Sequence, residues 1–175
     1  MQTIAIDNRA TVLNFRTTQA TVSQVLLVAA AVLLPSICHL TGAPVRALLP
    51  MHWPVLLAGL VYGWRSGLII GALSPLVSFA LSGMPSVEVL PLMGFEIAAY
   101  GLIAGLARQT FKLNGFVSVI IALIVGRVVA LAAVVFVSHV SAAQYFTAAM
   151  LPGMAAAIAQ VVALPFIARK WVNNA

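Results

Sequence analysis

The chain has 175 residues and a mass of 18.3 kDa, is 63% hydrophobic and only 7% charged, and has a mean hydropathy of +1.11. Soluble domains carry about 25% charged residues, so this composition excludes an ordinary water-soluble fold and leaves room for one compact membrane bundle without a separate soluble domain. The net charge of +6 does not indicate nucleic acid, because the basic residues fall one or two per loop; they suit retention of loops at a membrane surface and attraction to anionic lipid.

Residues 1–22 form a polar tail carrying Arg9 and Arg16. The apolar run behind them is long and has no prompt small-x-small cleavage site, which reads as a retained helix and not a removed signal. The first crossing covers residues 23–39 and is interrupted late by Pro35. Residues 40–52, rich in Gly and Pro, read as a folded outer loop. A short second crossing over 53–64 borrows length from that loop, and a third follows over 66–81 before Ser82-Gly-Met-Pro85 breaks the chain. The fourth spans 89–107 and holds Glu96, the fifth spans 115–137 with Arg127 near its middle, and the sixth spans 144–168. Residues 169–175 are a basic tail.

The charges orient these helices. No Lys, Arg, Asp or Glu occurs in the 29 residues between Arg16 and Arg46, nor in the 41 between Arg127 and Arg169. A hydrocarbon slab of ~30 Å needs roughly 20 apolar residues per helical crossing. Six crossings put both basic tails on one side, and Arg65, Arg108 and Lys112 then fall on that side too. Basic loops stay in the cytoplasm. The expected fold is therefore all-α, a six-helix polytopic bundle over 23–168 with both termini cytoplasmic, in a bacterial inner membrane.

Small residues recur at helical spacing. Gly59, Gly63, Gly67 and Gly71 repeat every four residues, as do Gly101 and Gly105, and Ala155, Ala159 and Ala163 form a similar stripe. Such spacing lets helix backbones approach in lipid, where packing drives association. The expected use is packing inside the bundle, with a docking surface for a partner membrane protein as the other use.

The polar residues left on the outer side are His39, Arg46, His52, Glu88 and His139, accompanied by turn formers and by Met51, Trp53 and Met84. Apolar walls with a few converging polar groups are the usual make-up of a ligand pocket. Glu96 lies roughly 10 Å inside the slab at 1.5 Å per residue, and Arg127 lies deeper. Buried charges in membranes face the bundle interior and are paired. Two readings follow: an ion pair that clamps the fourth and fifth crossings, or a cavity in which Arg127 meets a carboxylate or phosphate of a substrate.

Enzyme chemistry finds no support. There is no HExxH, no Gly-rich phosphate loop, no Asp in any crossing and no Ser beside a His within a helix. Cys38 has no second cysteine to pair with, and Cys38 and His39 are adjacent in a helix, so their side chains do not face each other. No cofactor or metal is expected. With no ATP motif, any active transport draws on a partner or a gradient.

Pro50-Met-His-Trp-Pro-Val-Leu-Leu-Ala-Gly59, Tyr62-Gly-Trp-x-x-Gly67, Ser82-Gly-Met-Pro85 and Phe95-Glu-x-x-x-Tyr-Gly-x-x-x-Gly105 together give residues 40–106 a pattern that resembles a substrate-binding S component of the energy-coupling-factor vitamin transporters. The resemblance implies a six-helix bundle that binds a water-soluble vitamin or precursor at its outer face. Loops 40–52, 82–88 and 138–143 would surround the ligand, and transport would need a membrane coupling protein and two ATPases. The candidate substrate-binding residues are then His39, Arg46, Met51, His52, Trp53, Met84, Glu96, Arg127 and His139. The chain departs from the family in its first helix. There Ala29-Ala-Ala31 is followed four positions on by Leu33, Leu34 and Pro35, not by the second alanine of the Ala-x-x-x-Ala docking signature. A non-transporting membrane scaffold subunit is the alternative function, and a small intramembrane enzyme acting on lipid a third.

Overall fold

A computed structural model describes residues 12–14, 16–137 and 141–174, which form helices and connecting turns. Helix α1 (Thr18–Leu40) is capped by the Thr17 hydroxyl, which accepts from the Ala20 backbone N–H at 3.2 Å. It starts earlier than the apolar pattern suggests and continues through Pro35 for a further turn and more. A proline costs the helix one backbone hydrogen bond; next to it, the Ser36 hydroxyl donates to the Val32 carbonyl at 2.9 Å.

The second crossing is built in two pieces. A single turn, α2 (Val45–Leu48), is followed by Leu49 in the left-handed region (φ 47°), and α3 (His52–Tyr62) then runs inward. Together Val45–Tyr62 are long and apolar enough to cross a membrane, as are α1, α4 (Trp64–Ser82), α5 (Leu90–Gln109), α6 (Gly115–Phe136 of Gly115–Val137) and α8 (Met154–Asn174). Six crossings therefore stand, as the charge pattern requires. The last one differs from expectation: a short α7 (Ala142–Tyr145), a π-helical turn (Phe146–Met150) and a bend at Leu151-Pro-Gly153 precede α8, which then runs on past Ala168. Pro152 and Gly153 disfavour a continuous helix there.

Helix α3 is the axis of the bundle. Ten of its eleven residues are buried, and it packs against α1, α4, α5, α6 and α8. A helix that is apolar on all sides belongs in the interior. The surrounding helices turn large apolar side chains outward, such as Leu26, Leu73, Ile124 and Ile158, where a bilayer would meet them. Helices α4 and α5 approach most closely. Gly67 and Gly101 face each other so tightly that a methyl group on either would overlap the other's backbone, and one on Gly71 would sit 2.6 Å from the Ile97 carbonyl. The glycine repeat thus packs the bundle internally. The alanine stripe does not: Ala155 and Ala159 are exposed, and the packing face of α8 is Ala156, Gln160, Leu164 and Ala168.

The first and last described segments lie at the same end. The Leu13 backbone N–H donates to the Val61 carbonyl at 2.7 Å, the Trp171 ring meets Tyr62 edge-on at 6.4 Å, and the Trp64 backbone N–H donates to Gln109 Oε1 at 3.3 Å. Arg65 and Arg108 belong to this basic end. The opposite, far end carries α2, the 83–89 connection, and the α7 and π-helical segment.

Candidate functional site

One buried polar cluster sits toward the far end of this apolar bundle, centred on Glu96. Helix α5 places Glu96 and Tyr100 one turn apart on the same face, and the Tyr100 hydroxyl donates to Glu96 Oε1 at 3.0 Å. The second carboxylate oxygen, Oε2, accepts from the Tyr145 hydroxyl of α7 at 2.9 Å. Burial first, and then the Glu96 carboxylate, push the Tyr145 phenol above its ordinary range, so it stays protonated and donating. His52, the first residue of α3, brings Nε2 to 3.8 Å from Oε1, and Arg127 of α6 brings Nη1 to 3.6 Å from the same atom. Those two separations exceed hydrogen-bonding distance. Arg127 therefore acts on Glu96 through charge, while the phenols take its hydrogen bonds.

Small residues make the arrangement possible. Gly126 of α6 abuts the Tyr100 ring, and a Cβ there would collide with it. That ring also meets the His52 imidazole, with centroids 4.8 Å apart. A Cβ on Gly153 would approach Arg127 Nη2 to 2.8 Å and Leu49 Cδ1 to 2.9 Å. The bend before α8 therefore closes on the guanidinium, and the turn after α2 packs against that bend. His52 Nδ1 and Nε2 and Arg127 Nη2 are buried without a hydrogen-bond partner. Such polar atoms are costly to leave unmet in a low-dielectric interior.

The structure thus brings together three of the residues expected from sequence, His52, Glu96 and Arg127, and adds Tyr100 and Tyr145. The other candidates stand apart from the carboxylate. Met51 is buried and packs into the general core. Trp53 is half-buried against that core, and its indole N–H donates to the Leu48 carbonyl at 3.1 Å, pinning α2. Arg46 is exposed and reaches across to the Ala148 carbonyl at 3.3 Å, tying α2 to the π-helical turn. His39, in the last turn of α1, and Met84, in the 83–89 connection, are exposed. His139 lies outside the described residues. The open groove of about 640 Å³ between α1 and α4 is lined by apolar residues such as Val28, Val32 and Leu73, and it lies away from this cluster.

Tyr100 was legible, since it follows Glu96 by four positions in a helix. Tyr145 lies 49 positions from Glu96, and no local periodicity connects them. Tyr145→Phe removes one hydrogen bond to a charged group, an interaction worth about 1.5–3 kcal/mol. It should lower the melting temperature in detergent. Tyr100→Phe should lower it at least as much, because that hydroxyl is wholly buried; equal melting of both variants and the wild type would show that neither phenol supports the carboxylate.

The family model described as "ECF transporter, substrate-specific component" matches residues 20–173, which is nearly the whole chain and takes in all but the outermost one or two residues of the first and last helices. Among curated proteins and among solved structures, no match is found. Members of this family are the substrate-binding subunits of membrane transport systems and not enzymes, and they work with an energy-coupling module. The chain is a multi-pass membrane protein that belongs to the substrate-specific components of ECF transporters.

Proposed function

We propose that the chain captures a small water-soluble vitamin or precursor at its far end, that this end faces outward, and that a coupling protein with ATPase subunits energises its uptake across a bacterial inner membrane. The observation that supports this reading best is the Glu96 cluster: five polar side chains from four helices, His52, Glu96, Tyr100, Arg127 and Tyr145, converge inside an otherwise apolar bundle, with donors of His52 and Arg127 still unspent. A bundle that served only to scaffold other subunits would have no use for buried, unmet donors. Helix α1 turns Val25, Leu26 and Leu33 outward, so contact with a coupling protein would rest on large apolar side chains there and not on an alanine pair.

The experiment is mass spectrometry of the solute that accompanies the purified protein, followed by melting with that solute added back. At about 100 times its dissociation constant a ligand adds roughly 2.7 kcal/mol of stability, a rise of several degrees for a protein of this size. No bound solute, and a flat response across a broad vitamin panel, would favour the scaffold. Orientation is checked separately: reporter fusions after residue 175 and at Ser86 should report opposite sides of the membrane, the former cytoplasmic.

A further inference from the structure

Among the described residues, the buried side-chain polar atoms without a hydrogen-bond partner belong to three residues: His52, Arg127 and Gln160. Gln160 has no solvent exposure at all, and both its Nε2 and its Oε1 are unmatched. A carboxamide left unpaired in apolar surroundings is unfavourable, and a position needed only for packing would be served by Leu or Met. The three residues come from α3, α6 and α8, which pack on one another.

Their placement has a clear order. Gly153 abuts Arg127, and Gly115 abuts Pro165, so α6 and α8 run antiparallel with Gln160 between those two contacts. Gly153 stands just before α8 and its carbonyl accepts from the Ala157 N–H at 3.0 Å; Gln160, seven positions on, therefore lies about 10 Å further along the helix axis. The neighbours of Gln160 on the buried face of α8 are Ala156 and Leu164. The unmet polar groups therefore form two stations, the Arg127 guanidinium with the His52 imidazole and a carboxamide about 10 Å deeper, with apolar residues between.

Resting on the solute-binding reading above, we propose that Gln160 is a specificity-determining contact and that the substrate is an elongated organic carboxylate. Its carboxylate meets Arg127 Nη2 and His52, two donors for two oxygens. Its other end carries an amide, ureido or hydroxyl function that donates to Gln160 Oε1 and accepts from Nε2. A carboxylate suits the upper station better than a phosphate, because Glu96 already supplies one negative charge there and a doubly charged group would be repelled.

The probes are pantothenate, biotin and 6-acetamidohexanoate, each compared by calorimetry with a neutral counterpart in which the carboxylate is an alcohol or amide. The wild type should bind at least one acid at least tenfold more tightly than its neutral counterpart. Gln160→Met, close in shape, should weaken that acid at least tenfold while melting at or above the wild-type temperature without ligand, since it relieves an unpaired amide. Acid and neutral forms binding alike, wild-type affinity in Gln160→Met, or a lowered ligand-free melting temperature in that variant would each overturn the inference. The acid-against-neutral comparison needs only the wild type, so it decides even if the variant fails to fold. A wild type that binds its accompanying solute but none of these acids overturns this inference alone, whereas one that binds no solute overturns the solute-binding reading with it.

Discussion

Gly101→Leu is expected to leave no folded bundle. Any side chain at that position must enter the space occupied by the Gly67 backbone, and backbone cannot rotate away as a flexible side chain can. Ordinary overpacking costs about 1–3 kcal/mol; here α4 must separate from α5 along its length, and α3 with them, because Gly59 also rests on the Gly101 carbonyl at 2.5 Å from where its own Cβ would lie. In lipid, close packing is the chief force holding helices together, so no hydrophobic gain offsets the loss. The measurement is recovery of monodisperse protein in detergent and its melting curve. Gly94→Ala on the same helix is the control: nothing lies within 4 Å of a Cβ there, and alanine improves a helix interior by about 0.5–1 kcal/mol over glycine. It should melt at or slightly above the wild-type temperature. If Gly101→Leu melts like the wild type, the α4–α5 contact is not the close one described.

How far the sequence carries follows from which signals are local. The crossings were legible because charge is costly in lipid over a distance of some twenty residues, so the gaps between Arg16 and Arg46 and between Arg127 and Arg169 speak for themselves. The glycine repeat was legible because helical periodicity is local too, and its internal use follows once α4 folds back on α5. The alanine stripe at 155, 159 and 163 has the same spacing, yet Ala155 and Ala159 are exposed; spacing alone does not tell which face of a helix meets its neighbours. The turn at Leu49 has no glycine to announce it, and the split before α8 was signalled only by Pro152-Gly153 inside an apolar run. At the site, Glu96 and Arg127 stood out as charges where charge is costly. Gln160 carried a weaker form of the same signal, a lone carboxamide in an apolar helix, and only its burial without partners makes it distinctive. Which polar groups meet is a property of the bundle: Tyr145 reaches Glu96 from α7, and His39 and Met84, equally plausible by type, stay at the surface.

The second large effect concerns Glu96 and Arg127, for which the sequence allowed either a structural clamp or a substrate contact. Glu96→Gln leaves the half-buried Arg127 without its counter-charge, and removing one partner of a buried ion pair costs about 3–5 kcal/mol; the melting temperature should fall steeply. Arg127→Met should cost less, because the carboxylate it strands keeps the hydroxyls of Tyr100 at 3.0 Å and Tyr145 at 2.9 Å. The double variant, Glu96→Gln with Arg127→Met, removes both charges and should recover most of the stability, giving a coupling of up to about 3 kcal/mol between the two sites. Folding and binding then separate. The geometry leaves Arg127 Nη2 buried and unspent even with Nη1 3.6 Å from Glu96, so the clamp uses only one edge of the guanidinium and the other edge is available to a solute. The double variant should therefore fold yet lose most of its affinity for the solute that accompanies the wild type. If it binds that solute as tightly as the wild type, Arg127 is a clamp alone.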